Sequence, residues 1–154
     1  MEVNRIEYKD LKWNELIEYA ENCSWIAGKH LASMMRDNTF DGWESVFAAT
    51  AEDEIIGFCT FLKTDYYPEN RYSPWVSSIF VDEKYRGKRI SERMINKVIE
   101  YAKEQNFSKV YIPSDMIGMY EKYGFQKIDE LQNYDGDIDN ILQKKYSCVL
   151  QCVT

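Results

Sequence analysis

"EKYRGKRISERM", residues 83–94, is the stretch on which the reading of this chain turns. Lys84, Arg86, Lys88, Arg89 and Arg93 crowd around a single glycine, Gly87, in a chain whose formal net charge is −7. Upstream, "VSSIFV" (76–81) reads as a strand. Downstream, Ile90, Met94, Ile95, Val98, Ile99 and Ala102 recur at helical spacing, which predicts a helix of about 15 residues. The stretch is therefore the turn of a strand–turn–helix unit. A helix N-terminus carries unpaired N–H groups and partial positive charge, and it binds phosphate. Basic residues in a first helical turn oppose that dipole by roughly 0.3–1 kcal/mol each. A bound polyanion reverses the sign, and Gly87 would let the backbone approach it without a Cβ in the way. A solvated basic face remains the alternative. Neither GxxxxGK[ST] nor GxGxxG occurs, so the turn is neither a Walker loop nor a dinucleotide fingerprint.

Working outward, "KWNELIEYAENCS" (12–24) places Trp13, Leu16, Ile17 and Ala20 on one helical face, and "AGKHLASMMRD" (27–37) predicts a second helix with Leu31, Met34 and Met35 inward. "SVFAAT" (45–50) and "EIIGFCTFL" (54–62) flank the turn "AEDE" and predict a hairpin. "KTDYYPENRYSPW" (63–75) is a polar, aromatic loop. Beyond the long helix, "KVYIP" (109–113) predicts a strand, and "MIGMYEKY" (116–123) a short helix closed by Gly124. "FQKID" (125–129) and "NILQKKYS" (140–147) predict strands flanking the acidic loop "DELQNYDGDID" (129–139). This order of elements is α+β or mixed α/β in one domain, residues 1–154, not an alternating doubly wound fold.

Composition bounds the function. Apolar residues are 45% and charged residues 29% of the 154, as expected of a folded chain. No apolar run approaches the ~20 residues of a membrane span, and "MEVNRIEYKD" lacks a signal-peptide core, so no membrane association and a cytoplasmic location are expected. The acidic balance, 26 Asp and Glu against 19 Lys and Arg, argues against nucleic-acid binding. Cys23, Cys59, Cys148 and Cys152 form no CxxC pair, and His30 is the only histidine; neither a metal site nor a disulfide framework is expected. Cys23 and His30 could lie close as a nucleophilic pair, but no third group is evident to orient them, and packing is the preferred reading.

Two motifs give the unit a family. "VDEKYRGKRIS" (81–91) resembles the V-x-P-x-x-R-G-x-G-x-G/A of the GNAT superfamily of acyl-CoA-dependent N-acyltransferases, and "MYEKYGF" (119–125) resembles that family's L-Y-x-K-x-G-F. Their order and separation also match, and the resemblance covers nearly the whole chain. It implies a central, mostly antiparallel twisted sheet of six or seven strands flanked by about four helices. It implies acetyl-CoA as cosubstrate and no metal. Backbone groups of Ile79, Phe80 and Val81 would pair with the pantetheine arm. The backbone from Gly87 through Lys88, Arg89 and Ile90 to Ser91 would hold the pyrophosphate, with Arg86 shaping the turn. Tyr120 would hydrogen-bond or protonate the departing thiolate. Three positions depart from the family pattern. Arg89 stands where Gly is usual, tolerable if its backbone is already helical but placing cofactor binding in doubt if φ must be positive. Ser91 replaces Gly or Ala and can cap. Pro113 replaces an Asn, leaving Ser114 or Asp115 as substitutes.

The expected reaction is direct attack of a small-molecule primary amine on the thioester of acetyl-CoA. Glu44, Asp82 and Glu83 are candidate bases, but an ordinary surface carboxylate is the preferred reading of each. The first two helices and the 63–75 loop should form the acceptor site, which Trp25, Trp43, Tyr66, Tyr67 and Trp75 could line. Asp129, Glu130, Asp135, Asp137 and Asp139 would attract a cation or simply form a solvated turn. A protein lysine or N-terminus as acceptor, and a non-catalytic acyl-CoA sensor, are the alternatives. The apolar tail "CVLQCVT" (148–154) would extend the last strand or meet a partner chain, which leaves a homodimer open.

Overall fold

The computed structural model describes residues 1–146; Ser147, Cys148, Cys152 and the rest of the apolar tail lie outside the described residues. In chain order the elements are β1 (Glu2–Ile6), α1 (Leu11–Asn22), α2 (Ile26–Arg36), β2 (Ser45–Ala51), β3 (Glu54–Leu62), β4 (Trp75–Val81), α3 (Ile90–Glu104), β5 (Lys109–Ser114), β6 (Gln126–Gln132) and β7 (Ile138–Lys145). Two short 3-10 helices, Glu83–Tyr85 and Tyr120–Tyr123, complete the set. The seven strands run in the order β1-β2-β3-β4-β5-β7-β6. Pairing is antiparallel for β1 with β2, β2 with β3, β5 with β7 and β6 with β7, and parallel for β4 with β5. This is the expected mixed sheet, with three α-helices and two 3-10 turns in place of about four helices.

The chain divides into two compact units, residues 1–61 with 78–97 and residues 62–77 with 98–154. In the first, Trp13, Leu16, Ile17 and Ala20 of α1 and Leu31, Ala32 and Met35 of α2 are buried with Ile6, Val46, Ala48, Phe58 and Phe80. The apolar stripe predicted for α1 is the buried one; on α2, Met34 is only half-buried. The β2–β3 hairpin closes on Glu52 and Asp53, both at positive φ (52° and 68°), the twist that two-residue hairpins require. Cys59 is buried in β3, and burial pushes its thiol up to about 12, which removes it as a thiolate nucleophile. In the second unit, Tyr67, Trp75, Tyr111, Leu131 and Ile141 form a core with Tyr72 packed against it. All six apolar positions predicted for α3 are buried.

Two expectations are corrected, one strand is added and one pairing is decided. The N-terminal strand β1 has no sequence forecast. Residues 116–119 are not helical, and the predicted short helix is reduced to a 3-10 turn at Tyr120–Tyr123. Gly118, at φ 93°, sits just ahead of that turn, in a conformation no helix can contain. Most of the predicted acidic loop 129–139 is strand, with only 133–137 turning. Asn133 builds that turn: its Oδ1 accepts the amides of Asp135 (2.9 Å) and Asp137 (3.1 Å). Cys23 and His30 form no pair, in line with the preferred reading: the Cys23 thiol donates to Trp25 O (3.4 Å), while His30 is exposed rather than packed.

Candidate functional site

The turn after β4 is built by its own side chains. Asp82 caps the 3-10 helix by accepting the Lys84 amide on Oδ1 (3.1 Å). Its Oδ2 accepts from Tyr19 Oη at 3.4 Å. Burial first, and then the Asp82 charge, push the Tyr19 hydroxyl well above the usual tyrosine range, so it stays a donor. Arg86 then donates Nε to Val81 O (2.9 Å), and its guanidinium lies over the Phe80 ring at 5.6 Å. This ties the start of the turn back to the strand it leaves. Phe80 itself is stacked between Phe58 (5.3 Å) and Trp25 (6.3 Å).

Gly87 and Arg89 have φ of 83° and 57°. Arg93 N donates to Arg89 O (3.3 Å), the first bond of the α3 ladder, so Arg89 is the residue that opens the helix. The position where glycine was expected therefore does need positive φ, and Arg89 is not helical. A non-glycine residue there carries strain of about 1–2 kcal/mol, but Arg89 adopts the torsion all the same, so the substitution does not deny the turn its backbone shape. Ser91 is not the cap; it is the second helical residue and is buried. Helix geometry leaves the amides of Ile90, Ser91 and Glu92 outside the i→i−4 ladder. A Cβ built on Gly87 would meet nothing within 4 Å, so the turn has open space at its glycine. Two left-handed residues, an open backbone and a 15-residue helix starting at Ile90 suit an anion held by main-chain donors.

Sequence reasoning missed Glu92. Arg89 grips it at two points, Nε to Oε1 at 2.8 Å and Nη2 to Oε2 at 2.9 Å. The i,i+3 spacing was the available signal. Ile79, Phe80, Val81, Arg86, Gly87, Lys88, Arg89, Ile90 and Ser91 all belong to the first unit, along one continuous strand and turn. Ser78, ahead of them, is a non-glycine at φ 49° inside β4, which breaks the regular pleat there.

Ser114 and Tyr120 belong to the second unit. Ser114 is buried, and its Oγ accepts the Met116 amide at 3.0 Å, so it serves the chain reversal after β5. Tyr120 is 8% exposed, its ring set edge-on to Tyr123 and Phe125. Its turn is closed by Gly124 in the left-handed region and by the Glu121 carboxylate on the Gly118 amide (2.6 Å). Lys144 Nζ donates to Tyr123 O (2.8 Å).

The candidate bases are engaged or exposed: both Asp82 oxygens have donors, Glu44 Oε1 accepts the Asp41 amide (3.1 Å), and Glu83 is exposed in the 3-10 helix. The predicted acceptor aromatics take different surroundings within their own units. Tyr67 and Trp75 are core residues, Trp43 packs on Phe61 at 5.0 Å, and Tyr66 and Trp25 are exposed. Three tyrosines of the 63–75 loop hold the acidic segment: Tyr66 to Asp135 (3.0 Å), Tyr67 to Asp139 (2.8 Å) and Tyr72 to Asp129 (2.7 Å). The Tyr72 hydroxyl is the main reason the Asp129 carboxyl sits below its ordinary range. Asp129, Asp135 and Asp139 thus clasp a loop, while Glu130 and Asp137 are solvent-facing, as a solvated turn would have them. Among the described residues, no helix is long and apolar enough to cross a membrane.

A family model described as "Acetyltransferase (GNAT) family" matches residues 9–125, through both units. The spermine/spermidine N(1)-acetyltransferase of Bacillus subtilis is 27% identical over 94 residues, 56% of this chain and 61% of that protein. The match thus spans about three fifths of the relative's length. Among solved structures, the aminoglycoside 6'-N-acetyltransferase from Enterococcus faecium superposes with a TM-score of 0.72 at 14% identity, covering 94% of this chain and 97% of that one. A GNAT family acetyltransferase from Elizabethkingia anophelis with acetyl-CoA bound gives 0.63 at 18% identity, with 94% and 97% covered. At these identities the two structures speak to the fold.

Proposed function

The chain belongs to the GNAT acetyltransferase family, and on that premise we propose that it transfers an acetyl group from acetyl-CoA to a primary amine of a small molecule. The observation that carries the proposal is the turn 86–91, where Gly87 and Arg89 take positive φ at the head of a 15-residue helix within the matched motif. The amides from Gly87 to Ser91 would hold the pyrophosphate. Arg86 fixes the turn through Val81 O. Backbone groups of Ile79, Phe80 and Val81 would take the pantetheine arm as an added strand.

Acetyl-CoA supplies a thioester carbonyl and a thiolate leaving group. A backbone N–H near Phe80 or Val81 would polarise the carbonyl oxygen. Tyr120 would hydrogen-bond or protonate the departing sulfur, a role assigned by its place in "MYEKYGF". An alkyl amine of pKa near ~10.4 is neutral in only about one molecule in a few thousand at pH 7. With Asp82 and Glu44 occupied by their own donors, the reaction is expected to draw on amine already neutral in solution or on a water chain. The polyamine named for the Bacillus relative supports a polycationic small amine as acceptor. A net charge of −7 suits such a ligand.

Calorimetric titration with acetyl-CoA tests the cradle. Saturable binding is expected, weakened several-fold in Gly87→Ala. There the new methyl meets no atom, but φ 83° costs roughly 1–2 kcal/mol for any L residue. No heat at millimolar ligand, or an unaffected Gly87→Ala variant, would count against the turn as the cofactor site.

A further inference from the structure

Four of the five basic residues of the turn are engaged within the first unit. Arg86 serves Val81 O and the Phe80 ring. Lys88 Nζ lies over the Tyr85 ring at 5.4 Å. Arg93 donates to Met1 O at 3.2 Å. Arg89 forks onto Glu92. The usual reading of such a cluster, loose positive charge gathered for a phosphate, does not describe it.

Glu92 is the unexpected member. It is the third residue of α3, so its carboxylate stands in the turn whose amides form the anion-binding end. A carboxylate there satisfies the helix end by itself, and its charge opposes a pyrophosphate. The Arg89 fork does two things to it. It cancels that charge, and through two hydrogen bonds of fixed geometry it holds the carboxylate in one place. The pair is not there for stability. Arg89's side chain is 61% exposed and Glu92's 26%, and ion pairs of that exposure contribute little to folding. Arg89 also accepts a left-handed backbone that glycine would adopt without strain. A device that adds strain and little stability points to the site.

We infer that Arg89 acts on the cofactor through Glu92: it is a positioning residue that shields the anion-binding helix end from a carboxylate in its own first turn. This rests on turn 86–91 being the pyrophosphate cradle. Glycine at position 89 would leave the backbone shape intact and take the fork away from the carboxylate. In this chain Arg89 and Glu92 are one unit, so the arginine that departs from the family pattern is the counterpart of a glutamate three residues on.

The test is a cycle of four proteins: wild type, Arg89→Gly, Glu92→Gln and the double variant. Each is titrated with CoA by calorimetry at low ionic strength, with circular dichroism to confirm folding. Arg89→Gly is expected to weaken CoA by about fivefold, as one exposed charge at a helix end should. Glu92→Gln should bind at least as tightly as wild type. The double variant should return to within about twofold of wild type, since no charge remains to shield. A double variant as weak as Arg89→Gly would overturn the inference and make Arg89 a direct phosphate ligand. Wild-type affinity in Arg89→Gly, or weaker binding in Glu92→Gln, would also overturn it. Failure of the wild type itself to bind CoA would instead remove the cradle on which the inference stands.

Discussion

Tyr120→Phe is expected to lower kcat by about 10²-fold or more while leaving acetyl-CoA affinity within about twofold. The change removes one hydroxyl and nothing else. Tyr120 is buried to 8% exposure, and its ring packs edge-on to Tyr123 and Phe125, contacts that phenylalanine keeps. The 3-10 turn that carries it is held by backbone and Glu121 interactions independent of the hydroxyl. The stability change should therefore stay near the roughly 1 kcal/mol of a single hydrogen bond. A thiolate expelled without a proton donor is the poorer leaving group, so the loss belongs in the chemical step. Single-turnover kinetics with saturating amine read that step directly. An unchanged single-turnover rate would take Tyr120 out of the reaction.

Gly28→Ala should destabilise the protein by about 2–3 kcal/mol, lowering Tm by about 5–10 °C. Propensity alone predicts the opposite, because alanine is favoured over glycine in a helix by about 1 kcal/mol. Packing decides the sign. Gly28 is buried in α2, and a Cβ there would overlap the Ala20 carbonyl oxygen of α1 and the Cys23 sulfur. The oxygen is backbone and cannot rotate away, so the helices must separate, and core atoms of Leu16, Ala20, Leu31 and Ala32 lose contact. Thermal unfolding followed by circular dichroism measures the effect. A variant as stable as wild type would show that α1 and α2 are not held this closely.

Legibility from the sequence followed how far each element's side chains carry its own signal. The six apolar positions of α3 repeat at helical spacing, and all are buried. The α1 stripe and the β2–β3 hairpin were equally plain. By contrast β1 is five residues long, with Ile6 its only buried side chain, so it is strand because β2 offers it a partner. The acidic segment became strand for the same reason: β7 supplies the pairing, and Leu131 is its one buried residue. Its carboxylates looked like solvent-facing charge because the tyrosines that donate to them lie 57–72 residues away in sequence. The strand–turn–helix order around 86–91 was legible from the apolar spacing, the glycine and the position of the turn. The backbone of Arg89 was not, since nothing in the residue type announces positive φ; the bond from Arg93 N to Arg89 O and the torsion itself reveal it.

Acetyl transfer to an amine is measured by thiol release from acetyl-CoA across a panel of small amines that includes spermidine and an aminoglycoside. Thiol release should depend on the amine, and the product should be one acetyl group heavier by mass. Below the amine's pKa, kcat/KM should rise about tenfold per pH unit as neutral amine accumulates. Protein that binds acetyl-CoA but releases no thiol with any amine, at any pH on the panel, would contradict the claim and leave an acyl-CoA sensor in its place.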